Sequence, residues 1–126
     1  GEVKVGILGC PALELDGSTG HLFTAVRGRG SFRLPLFEET GDTQPRALLV
    51  SDDAACMVQS FEASHGNHAA QQDVGSEMGI ESVIRMDSQA KYAMVASGRA
   101  SLYLRLSNYK ENIWDHAAGS IVVEEA

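Results

Sequence analysis

A chain of 126 residues, 44% hydrophobic and 21% charged, allows one ordinary globular domain, and no run of about 18 apolar residues offers a membrane span. Ten Lys and Arg against seventeen Asp and Glu leave a net charge of −7. That balance disfavours a broad polyanion surface such as a nucleic-acid polymer requires, but a small phosphate ligand needs only two or three well-placed donors.

The elements follow in chain order. Residues 3–8 (VKVGIL) alternate apolar and β-branched positions and predict a strand ending at the Gly-Cys-Pro of 9–11. Residues 17–20 (GSTG) predict a turn, and 22–34 a hairpin folded at Gly28-Arg29-Gly30. The polar stretch 35–46, with a proline near each end, predicts a loop or linker, so a boundary is expected near 40–46: residues 1–45 as a β-sheet region, 46–126 as an α/β region. Residues 46–51 predict a short buried strand. Ala54, Met57, Val58 and Phe61 have helical spacing and predict a helix over 54–63. Residues 67–79 predict a second helix, with Asn67 as N-cap and Gly79 as its stop. A strand over 81–86, a helix over 88–98 ended by Gly98, a strand over 101–106 and a helix over 115–126 complete the pattern. Alternating strands and helices predict an α/β layered sandwich with a mixed sheet. Cys10 and Cys56 form no CxxC pair and predict two buried thiols in a reducing compartment. No basic leader followed by an apolar core opens the chain, and its start at Gly1 reads as processed or cut.

Four places offer chemistry. Asp115, behind the sole tryptophan, opens a helix rich in small residues: it either caps that helix, with Trp114 in the core, or offers a carboxylate to a hard cation that also touches phosphate. Ser88 and Lys91, three apart at a helix start, either cap and solvate or grip one phosphate. Arg105 is either a salt-bridged strand residue or a fork for phosphate. His65 and His68 are loop histidines, short of a zinc ligand set, of which His65 could stack on a base. Two look-alikes carry nothing: LDGSTG (15–20) lies in a turn, and GRG (28–30) is too short for a dinucleotide fingerprint.

In succession, DSQAKY (87–92), YLRL (103–106) and ENIWDHAAG (111–119) resemble the 3′(2′),5′-bisphosphate nucleotidase branch of the inositol monophosphatase superfamily. SHGNH (64–68), GILGCP (6–11) and AVRGRGSF (25–32) are similar to that branch at the corresponding distances. The resemblance implies a sugar-phosphatase-like α/β fold and a Mg2+-dependent, lithium- or sodium-sensitive phosphatase that converts 3′-phosphoadenosine 5′-phosphate to AMP. It implies Asp115 as a metal ligand, and His65, Ser88, Lys91 and Arg105 as the residues holding the nucleotide; for His68 and His116 it implies no role. The family's Asp-Pro-Ile-Asp-Gly-Thr metal loop and its catalytic Glu have no counterpart here, so no catalytic residue is assigned and the 126 residues are expected to be inactive alone, as a fragment truncated at both ends. The rest of the enzyme chain, or a second copy, would be the partner. Cytoplasm or an organelle is the expected compartment. An inositol phosphate phosphatase, a non-catalytic nucleotide-binding fragment and an acidic interaction domain are the alternatives.

Overall fold

The computed structural model of the protein describes residues 1–37, 43–62, 67–106 and 110–126. Its first part is an antiparallel meander in the order β1-β2-β3-β4: β1 (Val5–Leu15), β2 (Ser18–Val26), β3 (Ser31–Pro35) and β4 (Arg46–Ala47). β1 is longer than the sequence predicts. Pro11 does not end it, because β1 is an edge strand and its register on β2 slips between Cys10 and Glu14, so no ladder donor is required there. The β1–β2 turn is Asp16–Gly17, not 17–20: both residues have positive φ (54° and 76°), the type I′ geometry that Asp-Gly favours. Gly28 and Gly30 make the β2–β3 turn as predicted, again at positive φ.

The second part is a parallel sheet in the order β6-β5-β7, from β5 (Cys56–Gln59), β6 (Ser82–Arg85) and β7 (Leu102–Tyr103). Helices α1 (His68–Glu77) and α2 (Ala90–Ala96) make the two crossovers, and α3 (Ala117–Glu124) closes the order behind a 3-10 turn, Ile113–Asp115. The helix predicted over 54–63 is β5. All four residues of that strand are buried because it is the centre of a parallel sheet, and a short continuous apolar run does not distinguish buried strand from buried helix. Phe61, read as part of the helical stripe, is exposed. The buried strand predicted over 46–51 reduces to the exposed pair of β4, with Leu49 and Val50 in solvent. α1 begins and ends as predicted: the Asn67 side chain accepts from the Ala70 N–H at 3.1 Å, and Gly79 follows at φ 76°.

One core joins the two sheets. Leu8, Cys10, Phe23 and Ala25 of the meander pack in the same cluster as Val58, Ala93, Ile121 and Val122. α3 lies against β1 and β2 and contacts α2, which touches β1, β5 and β7. The α3–β1 approach is close because Gly6 has no side chain: a Cβ there would overlap Ile121 and stand 2.7 Å from the Ala118 carbonyl. Both cysteines are buried as free thiols, as expected. Among the described residues, no helix is long and apolar enough to cross a membrane.

Candidate functional site

Three parallel strands bring their carboxyl ends to one edge of the sheet. The chain leaves central β5 for β6 on one side and later returns to β7 on the other, so this edge is a topological switch point, where α/β sheets hold ligands. Hydrogen bonds draw the segments leaving it together. Met86 N–H donates to the Gln59 carbonyl at 2.9 Å, and Phe61 N–H to the Asp87 carboxylate at 3.2 Å. Asn67 N–H donates to the Leu106 carbonyl at 2.8 Å, and the Gln71 side chain to the Leu104 carbonyl at 2.8 Å. The Ser88–Lys91 segment follows β6 and Arg105 follows β7, so these expected residues reach the same edge from two strands. His65 lies outside the described residues. His68 Nε2 meets the Ser60 carbonyl at 3.2 Å, tying α1 to the end of β5.

Ser88 and Lys91 do not share a helix face. α2 starts only at Ala90, and Ser88 precedes it in a left-handed conformation (φ 72°), where its exposed hydroxyl accepts from the Ala90 N–H at 3.2 Å. Lys91 turns inward. It is buried, donates to the Met86 carbonyl at 3.4 Å, and sits 5.5 Å from the centroid of the Tyr103 ring, within cation–π range. Burial holds its pKa below the usual lysine value; Arg105 lowers it further, while Asp87 and Glu111 act in the opposite sense.

Arg105 lies past the end of β7, which is shorter than the strand predicted over 101–106. Its guanidinium pairs with the Glu111 carboxylate through Nη2, as a salt-bridged reading of this residue requires. Its Nε is buried with no acceptor among the described residues. The second oxygen of Glu111 pairs with His116 Nε2, and His116 Nδ1 meets the Tyr92 hydroxyl at 2.7 Å. Tyr92 and Tyr103 stack edge to face, 5.2 Å between centroids. Burial pushes the Tyr92 phenol up to about 12, so it stays a proton donor; Tyr103 is also raised by burial. The sequence reading missed Glu111, Tyr92 and Tyr103 and gave His116 no role. Their only signal was adjacency: Glu111 and His116 flank IWD, and Tyr92 follows Lys91.

Asp115 ends the 3-10 turn, where its Oδ2 accepts from the Asn112 N–H at 3.0 Å. Its carboxylate therefore caps the turn before α3 and not the helix itself, whose N-cap is His116 with no side-chain capping bond. Trp114 beside it does not enter the core; it is 77% exposed. No group of three or more His, Cys, Asp or Glu among the described residues could hold a metal ion. One carboxylate does not make a Mg2+ site, so these residues do not by themselves fit the cation that the sequence resemblance implies.

The sequence model of the inositol monophosphatase family matches residues 1–126. Relatives named 3′(2′),5′-bisphosphate nucleotidase include one from Dictyostelium discoideum, 42% identical over 97% of this chain and 39% of its own length. Another, 3′(2′),5′-bisphosphate nucleotidase 2 of Candida albicans, is 36% identical over the whole chain and 42% of its own length. The chain thus spans about two-fifths of the length of the curated relatives it matches. In fold it is similar to CysQ from Bacteroides thetaiotaomicron, a bacterial member of the inositol monophosphatase family: TM-score 0.58, 23% identity, 83% of this chain and 42% of that one. Mycobacterium tuberculosis SuhB gives a TM-score of 0.57 at 21% identity, over 89% of this chain and 49% of that one. From the match along its full length, this chain belongs to the inositol monophosphatase family.

Proposed function

We propose that these 126 residues are the nucleotide-holding part of a phosphatase that removes the 3′-phosphate of 3′-phosphoadenosine 5′-phosphate to give AMP. The observation that carries the reading is that Lys91 and Arg105 lie at the same carboxyl edge of the parallel sheet: a buried cation in the segment after β6, and after β7 a guanidinium whose Nε is buried without an acceptor among the described residues. Such a pair favours a ligand rich in negative charge, and a guanidinium suits the planar edge of a phosphate. The relatives' shared name supplies the substrate class. Ser88 and His65 would complete the grip, and residues 1–45 and 46–126 would act as a supporting β region and a ligand-holding α/β region. The compartment would be cytoplasmic or organellar.

Mg2+ belongs to the reading through Asp115, whose second oxygen has the right chemistry for a hard cation. The other carboxylates would have to come from residues beyond these, and no residue of this chain is assigned the activation of water. The missing ligand set favours a second reading, a non-catalytic nucleotide-binding fragment. Titration calorimetry in EDTA, paired with phosphate release in Mg2+, separates the two readings. We expect binding of 3′-phosphoadenosine 5′-phosphate, weaker binding of AMP, and no turnover by this chain alone. Turnover without any added polypeptide would overturn the partial-site reading. Equal affinity for AMP and the bisphosphate would overturn the assignment of Lys91 and Arg105.

A further inference from the structure

We propose that Glu111, His116 and Tyr92 form a positioning relay that fixes the Arg105 guanidinium for an incoming phosphate, with Glu111 acting on the ligand only through Arg105. The proposal deepens the reading above and rests on Lys91 and Arg105 being the phosphate-holding pair. Both Glu111 oxygens are engaged, one by Arg105 and the other by His116 Nε2. In the tautomer that turns Nε2–H toward the carboxylate, His116 Nδ1 is an acceptor, and the Tyr92 hydroxyl at 2.7 Å is the matching donor. Tyr92 is itself held: its ring lies where a side chain on Gly119 would stand, and it packs edge to face on Tyr103. The contacts run in series from Arg105 through Glu111, His116 and Tyr92 to Tyr103.

This series spans α2, β7 and the start of α3, so the carboxylate that holds the guanidinium is itself anchored to other elements of the fold. A carboxylate that merely filled a vacant phosphate site would be held by cations alone. Glu111 is braced from behind by an imidazole and a phenol on helical scaffold. Its pairing uses Nη2 of Arg105 and leaves Nε, a buried donor without an acceptor among the described residues, for a ligand oxygen.

The test compares E111Q, H116F, H116Q and R105A, and the double variant E111Q/R105A, for binding of 3′-phosphoadenosine 5′-phosphate in EDTA, with a thermal melt of each. E111Q is expected to weaken binding about tenfold and H116F a few-fold, about what losing a charged hydrogen-bond partner produces. H116Q, which keeps a donor toward Glu111, is expected to restore near-parental affinity. In the R105A background, E111Q is expected to change affinity by less than about twofold, since coupled residues are non-additive. A purely structural Glu111 would weaken binding equally in both backgrounds. Tighter binding by E111Q would make Glu111 a competing anion, and either result overturns the relay. An unchanged affinity in R105A would instead remove the site reading, and the relay with it. A ligand-free readout stands beside these: the Arg105 guanidinium NMR signals should show slowed rotation in the parent and fast rotation in E111Q. Fast rotation in the parent would also overturn the proposal.

Discussion

The antiparallel meander and the parallel sheet use their charged groups differently. In the meander, charges tie turns to distant elements. Glu125 accepts from the Gly28 and Gly30 N–H groups at 2.9 and 3.2 Å, which holds its carboxyl below the usual range, while Arg27 pairs with Glu124 at 2.6 Å. Asp16, in the β1–β2 turn, takes Arg33 at 2.6 Å and also pairs with Arg99. These contacts join turns to helix ends. At the carboxyl edge of the parallel sheet, charges instead gather on side chains: Lys91, Arg105, Glu111 and His116 bond one another or the ends of strands. The β1–β2 and β2–β3 turns, two and four residues long, leave little loop for a site. Parallel strands need long crossovers, each of which sets out from the same carboxyl edge. The proposed ligand-holding role falls in the half built from parallel pairing, with the meander as its support.

The largest expected effect comes from breaking the contact between the halves. In G6V the new side chain would collide with Ile121 and the Ala118 carbonyl, which cannot both retreat while α3 stays on the sheet. Unfolding in urea should show a loss of about 3 kcal/mol, in the range of overpacked cores. Gly9, three residues along the same strand, meets nothing within 4 Å and supplies the control. G9A should stay within about 0.5 kcal/mol of the parent. Equal costs at the two positions would mean that α3 does not rest on β1.

How much of this was legible depends on how local the signal is. The hairpin at Gly28–Gly30 and the cap at Asn67 follow from short-range chemistry, and the sequence carries both in full. β5 was misread because its four buried residues owe their state to neighbours 26 and 45 positions away in register, Ser82 for Cys56 and Leu102 for Met57. β1 was cut short at Pro11 because only the sheet order reveals an edge strand. Of the site, Lys91 and Arg105 were named from motif, yet the inward turn of Lys91 was not. It follows from the left-handed Ser88, a conformation that no spacing rule anticipates in a non-glycine residue. Glu111 and His116 escaped because a carboxylate and an imidazole five residues apart meet only when the 3-10 turn between them folds back.

A smaller effect sharpens the claim that the parallel edge holds charge for a ligand rather than for stability. Lys91 is buried with its pKa lowered, so the folded state binds that proton less tightly than the unfolded chain does. The resulting penalty is fully present below the folded pKa, where both states are protonated. It fades as pH rises through the folded pKa toward the unfolded value of 10.5, so stability from this group increases along that limb. K91M removes the penalty and keeps the apolar stem. It should therefore melt higher than the parent at pH 7, by about 1 kcal/mol in stability, while binding of the bisphosphate falls. The gap should narrow in melts repeated as pH approaches 10. A K91M protein that is less stable at pH 7 would show that Lys91 fastens the fold in the manner of Asp16.

The smallest effect concerns Trp114. A buried tryptophan is costly to truncate, commonly 3–5 kcal/mol at about full burial, whereas an exposed one is not. At 77% exposure, beside Ile113 at 82%, it contributes little packing here, so W114A should shift stability by no more than about 0.5 kcal/mol. Because it is the sole tryptophan, the intrinsic emission of the protein reports on this position alone, and it should lie at the red-shifted wavelength of indole in water. A blue-shifted emission, with a cost above about 2 kcal/mol for W114A, would mean that the turn before α3 is packed, as in the meander. The Asn112–Asp115 cap would then be one contact among many. Water-like emission would leave that turn held chiefly by the Asp115 carboxylate on Asn112 and by the Glu111–His116 pair across it, which ties its geometry to the charges of the site.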